Sequence, residues 1–317
     1  MTDFGTLPDG QNITAHRISA GDISVTILSH GAIVHDLRLR GVDHTLTPGG
    51  QSLDDYLGRY KHHGSLIGPI ANRISTGRVR ISGIMYELER NQDGRIHLHS
   101  GKDGTHLQNW TVADTSPSSV SLQLVMPDGI AGLPGQRMVK VTYTVTAPAT
   151  LTMTVTGSSY GTTMMNFANH SYWNLDGSDN WRGHQLQIHA DSYLPTTADS
   201  VPTGEVCDVA GTQMDFRTPR ELIPGAPALD HNFCTSTTRQ ALRDVATLRG
   251  QNGITLTMAS TEAGLQIYDG RTSETPYQGI ALEAQNWPDA PNHRGFPTIR
   301  VEDGEEYQQV TSWRLWR

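Results

Sequence analysis

Cysteine is nearly absent: Cys207 and Cys234 are the two in a chain of 317 residues. Two thiols cannot form a disulfide framework, and no CxxC spacing exists to hold zinc or run thiol exchange, so both read as inert. Basic clusters are missing too. Against 24 Lys and Arg stand 32 Asp and Glu, a formal net charge of −8, and no Lys/Arg run exceeds a residue or two. That balance argues against nucleic acid or an anionic membrane surface as partner and suits a small neutral ligand. No apolar run approaches membrane-spanning length, and the opening MTDFGTLPDG has neither a basic n-region nor an apolar h-region. The expectation is cytoplasmic residence.

Helical patterning is scarce, limited to residues 52–57, one turn near 219–222 and another after Pro288. A β/α alternation is absent, which removes TIM-barrel and dinucleotide-binding architectures. Repeats of fixed period, low-complexity linkers and charge blocks are also lacking, so residues 1–317 read as one continuous domain.

What is present is period two. Val139, Val141, Tyr143 and Val145 alternate with Lys140, Thr142, Thr144 and Thr146, and after Ala147-Pro148-Ala149 the alternation resumes at Leu151, Met153 and Val155. Side chains of a strand alternate faces, so this predicts a hairpin with one buried face. Shorter runs at 23–28, 120–124, 186–188, 254–258 and 265–268 lie between Gly, Pro, Asn and Asp clusters. The expected fold class is all-β, a sandwich or barrel.

Five polar constellations stand out. Asn72-Arg73 in ANRI could grip a hydroxyl array or an acid, or form a surface ion pair. His97 and His99 in IHLHSG would share one face of a strand, as two metal ligands or as one site histidine and one packing histidine. His170 in NHSYWNL has hydrogen-bonding neighbours in Asn169, Ser171 and Asn174. Tyr172 and Trp173 add flat apolar faces of the kind sugar rings lie on. Asp230 in LDHNF could open an Asx-type turn or accept two vicinal hydroxyls. Glu283 in ALEAQ is a charge inside an apolar strand: with Leu282 and Ala284 in the core, it faces solvent or a cleft. The following Asn286-Trp287-Pro288-Asp289 favours a cleft rim.

Together these motifs resemble the aldose 1-epimerase (galactose mutarotase) family, over nearly the whole chain from about Gly5 to Trp313. The resemblance rests on NHSYWNL, on DHNF at 230–233, on ALEAQNWPDAPN, on ANRI and HLHSG, and on PDGIAGLPG at 127–135. It implies a β-supersandwich of antiparallel sheets with a sugar-binding cleft, no cofactor and no metal, a free monosaccharide as partner, and a monomer or weak homodimer. By the same resemblance His170 is the general acid and Glu283 the general base. Asn72, Arg73, His99 and Asp230 hold hydroxyls, with Gln266 in GLQIY as a further binding residue. Three departures bear on substrate preference: Pro69 where an arginine is usual, Ser100 for a glycine, and a short loop at 270–278 that would leave one rim more open.

Anomer exchange needs a proton taken from the C1 hydroxyl while another reaches the ring oxygen. An ionised Glu283 and a protonated His170, on opposite edges of the pyranose, are expected to supply both. The reverse assignment stays open. So do three other readings: an epimerase of a phosphorylated or acidic sugar, a non-catalytic sugar-binding protein, and a glycoside hydrolase using Asp230 with Glu283.

Overall fold

The computed structural model describes residues 1–317. The expected hairpin forms from Gln136–Thr146 and Thr150–Tyr160, paired without a slip from Thr146 opposite Thr150 to Gln136 opposite Tyr160. Val139, Val141, Tyr143, Val145, Leu151, Met153 and Val155 are all buried, as period two requires. Each such side chain contributes roughly 1.5–3 kcal/mol by leaving water, and a one-residue slip would turn the whole set outward.

This hairpin is part of a nine-stranded sheet, in which the C-terminal strand Tyr307–Trp316 lies between Thr150–Tyr160 and Thr255–Ser260. A six-stranded sheet runs in the order Tyr172–Trp173, Ile280–Gln285, Gly264–Tyr268, Asp230–Cys234, Ser192–Tyr193, Cys207–Asp208. The N-terminal strands from Thr2–Thr6 to Val34–Leu39 make a third sheet of four. One core of 49 buried residues draws on all three, including Val25, Val141, Leu265 and Leu282. Every named pairing within the sheets is antiparallel.

The first helical expectation is met by Leu53–Leu57, where Ser52 and Asp55 cap each other's backbone N–H groups. After Pro288 the chain makes a short 3₁₀ turn, Ala290–Asn292. Near 219–222 there is no helix: Arg220–Glu221 joins the nine-stranded sheet beside Gln185–Ile188, because an unpaired sheet edge was available to it.

A polar bolt joins the sheets behind the site. Gln309 is fully buried, and its amide donates to the carbonyls of Phe167 at 3.1 Å and Ala284 at 3.0 Å while its oxygen accepts from the Tyr307 hydroxyl. It ties the segment leading to His170 to the strand that carries Glu283.

Candidate active site

The site grows from the register of the six-stranded sheet. Tyr172 pairs with Ala281, Gln266 with Glu283, and Asn232 with Gln266. His170 lies two residues before Tyr172, outside the paired strand, and its ring reaches Glu283 in the cavity. Directly opposed side chains share a face, and on this sheet Leu265, Ile267, Leu282 and Ala284 take the core face. The polar row is left on the other, where a cavity of about 670 Å³ opens. Glu283 therefore faces a cleft and not bulk solvent. The volume falls within the roughly 300–1,000 Å³ of small-molecule sites.

All seven residues singled out from the sequence line this one cavity: Asn72, Arg73, His99, His170, Asp230, Gln266 and Glu283. Asn72 and His99 stand at its wall in left-handed backbone conformations, φ 67° and 54°. The Asn72 side-chain oxygen accepts from the Arg73 N–H at 2.8 Å, the local bond that makes Asn tolerant of this conformation. The Asn72 N–H donates to His99 Nδ1 at 3.1 Å, which leaves the His99 proton on Nε2.

The HxH reading is corrected here. The strand ends at His97–Leu98, and the left-handed turn at His99 breaks the period-two rule. His97 is buried elsewhere with Nδ1 2.7 Å from the Glu89 carbonyl, so one histidine belongs to the cavity and one to packing. No group of three or more His, Cys, Asp or Glu side chains is placed to hold a metal ion.

Asp230 is oriented from two sides: Gln266 donates to one oxygen at 2.7 Å, and Arg73 approaches the other at 3.3 Å. Arg73 is itself held by Gln92, 2.9 Å from its Nε. Asp289, expected at the cleft rim, is a buried brace instead. Its N–H donates to the Arg73 carbonyl and its carboxylate accepts from the Ser75 N–H, both at 3.0 Å, fastening the ANRI loop to the end of the Glu283 strand.

NHSYWNL also divides differently from the expectation. His170 is fixed by its backbone, donating to the Ser65 carbonyl and accepting from the Gly64 N–H. Asn169 and Asn174 spend their amides on the carbonyls of Gly64, Ser178 and Gln278, and Trp173 packs in the core against Trp313. Tyr172 alone offers a flat face to the cavity, because successive residues of a strand point opposite ways.

His170 Nε2 and Glu283 Oε1 lie 3.5 Å apart with side chains 5% and 2% exposed. The pair sits side by side, not on opposite edges of a ring-sized gap. Two oxygens bonded to one anomeric carbon are also neighbours, so an adjacent pair can address both. Burial pushes the Glu283 carboxyl up to about 8, helped by the charge of Asp230 and opposed by Arg73. Burial takes His170 down to about 4, with its own backbone and Asp230 opposing. Between those values burial favours a neutral acid and a neutral imidazole over the ion pair expected from sequence. Both forms contain one proton, and they differ only in which group carries it.

Several lining residues were not anticipated: His62 and His63 from a KHHG turn, Tyr268, Arg59, Arg271, and Thr272 to Glu274. Two adjacent histidines were the available signal. The short 270–278 loop does not simply leave the rim open, since Glu274 reaches Arg59 at 3.0 Å. Of the other departures, Pro69 follows a cis peptide bond, and the Ser100 hydroxyl is used on the Ile70 backbone.

A family described as aldose 1-epimerase matches residues 14–314. The chain is 33% identical to galactose mutarotase of Rattus norvegicus, over 99% of this chain and 97% of the relative. It is 30% identical to aldose 1-epimerase of Escherichia coli K12, over 97% and 96% respectively. Among solved structures, a GalM/aldose epimerase homologue from C. elegans superposes with a TM-score of 0.89 at 24% identity, covering 96% of this chain and 99% of that one. A galactose 1-epimerase from Lactobacillus acidophilus gives 0.87, also at 24% identity, covering 99% and 97%; both likenesses speak to the fold. With the motifs in order and their residues around one cavity, this chain belongs to the aldose 1-epimerase family.

Proposed function

We propose that the protein interconverts the α and β anomers of a free aldose, with His170 and Glu283 moving the two protons. The observation that carries this reading is their adjacency at 3.5 Å on the floor of a cavity whose walls present hydroxyl-binding groups. The proton that rests on Glu283 first passes to His170, 3.5 Å away, and Glu283, then a carboxylate, takes the proton of the C1 hydroxyl. His170, as imidazolium, gives its proton to the ring oxygen. The bond from C1 to the ring oxygen breaks, C1 becomes an aldehyde, and the pair is left neutral, the form that burial favours.

Rotation about C1–C2 presents the other carbonyl face, and the same steps in reverse close the ring and restore the ion pair. Each acid or base group is worth roughly 10²–10⁴ in rate. Arg73, Asp230, Gln266, Asn72 and His99 hold the remaining hydroxyls while C1 turns, so that ring closure starts from an ordered chain.

Charge matching favours a neutral sugar over a phosphorylated or acidic one. Each arginine of the cleft has a carboxylate partner: Arg59 with Glu274, Arg73 with Asp230, Arg271 with Asp269. Nor is Asp230 free to act as a second catalytic carboxylate of a hydrolase, being engaged by Arg73 and Gln266.

The test is optical rotation of freshly dissolved α-glucose, galactose, xylose and arabinose with neutral and phosphorylated hexoses compared. Acceleration over the spontaneous rate with neutral sugars is expected. An unchanged rate at micromolar protein would overturn the proposal.

A further inference from the structure

His62 completes a triangle with the two imidazoles already assigned to the cavity, His99 and His170, whose own centroids are 5.6 Å apart. Its ring centroid is 5.7 Å from that of His170, nearly parallel at 22°, and 5.1 Å from that of His99 at 62°. Behind it His106 stands at 5.1 Å. The turn that carries it is anchored to the catalytic segment. Gly64 donates to the His170 carbonyl, His170 donates to the Ser65 carbonyl, and the Ser65 hydroxyl donates to the His62 carbonyl at 2.9 Å. The backbone of His62 is thus tied to that of His170.

What sets His62 apart is the state of its ring nitrogens. No group of the protein pairs with either, yet they are not sealed away, as both nitrogens of His30 and the Nδ1 atoms of His63 and His106 are. They are open to the cavity. Burial, with His106, His170, Lys61 and His63 adding to it, holds His62 well below the usual histidine range, so its ring is neutral. A neutral imidazole offers one donor and one acceptor, the complement of a hydroxyl that is both.

We propose that His62 is a further sugar-binding residue, hydrogen-bonding one hydroxyl of the bound aldose near the anomeric end and so selecting among sugars by that hydroxyl. The proposal rests on the reading of the cavity as an aldose site. A ring that only packed against His170 would be indifferent to which hydroxyls the sugar carries.

The experiment compares wild type, His62→Phe and His62→Gln on a preferred hexose and its 2-, 3-, 4- and 6-deoxy forms. It takes kcat/KM from optical rotation and Kd from calorimetry in parallel. Phe keeps the stacked ring and loses both nitrogens, and Gln restores a donor and an acceptor. His62→Phe should lose about 10-fold in kcat/KM on the parent hexose, one neutral hydrogen bond's worth, with Gln recovering most of it. For one deoxy sugar, wild type and His62→Phe should be equal, which identifies the hydroxyl.

An equal loss on every sugar, or no loss on any, overturns the proposal. If wild type binds these sugars without turnover, the anomer-exchange reading falls and the Kd pattern still decides His62. If wild type binds none, both fall.

Discussion

Gln309, on the central strand of the nine-stranded sheet, donates to the carbonyl of Ala284 at 3.0 Å, one residue from the carboxylate that faces the cavity. A second bond from the same amide holds Phe167, three residues before His170. One side chain in the core thereby ties the segment that leads to His170 to the strand that carries Glu283.

Replacing Gln309 by Leu should leave the carbonyls of Phe167 and Ala284 unpaired inside the core. A single such group costs roughly 1–3 kcal/mol. The expected result is a lower denaturant midpoint together with reduced kcat, since the His170 segment and the Glu283 strand lose their common tie. Unchanged values in both measurements would show that the bolt carries neither stability nor geometry.

Glu283→Gln and His170→Asn should each lower kcat by about 10²–10⁴ while sugar binding persists, because amides of similar size keep the cavity's shape but cannot exchange protons. Optical rotation gives the rate and calorimetry the Kd. A variant with wild-type kcat removes that residue from proton transfer.

The pH profile of kcat/KM should be bell-shaped with a wide plateau. The free enzyme must hold one proton on the pair. A second arrives on His170 below about 4, and the single one leaves Glu283 above about 8. The limbs belong to the coupled pair, not to either residue alone. A plateau confined between ordinary Glu and His values, about 4.3 and 6.5, would mean that burial does not perturb the site as described.

Asp230 contributes to that profile. Its charge raises both Glu283 and His170. Asp230→Asn should shift both limbs to lower pH and raise KM, as Gln266 and Arg73 lose the carboxylate they orient. Limbs that stay in place would show that solvent screens Asp230 from the pair.

Stability should move opposite to activity in Glu283→Gln. A carboxyl raised in the folded state costs nothing while both states are protonated. As pH climbs from the unfolded value of about 4.3 toward 8, the unfolded chain ionises first and folding weakens. The Gln variant, with nothing to ionise, should melt above wild type at pH 7, with the gap closing near pH 4. Equal melting temperatures at both pH values would contradict a buried, raised carboxyl.

The sequence alone determined which face each long strand buries, because side-chain alternation is a property of the extended backbone itself. It separated Glu283 from Leu282 and Ala284, set Val141 and Tyr143 inward, and, through motifs lying far apart along the chain that resemble one family, marked seven of the residues that line the cavity. Other features depended on groups distant in sequence. His97 and His99 parted because a left-handed turn ended their strand; Trp173 went to the core beside Trp313; Asp289 turned inward to brace Arg73. The clustering of His62 with His99 and His170 depended on the Gly64 and Ser65 backbone bonds that fasten its turn to His170. Tertiary structure also decided where the shared proton rests, since desolvation is set by everything that surrounds a side chain and not by its neighbours in the chain.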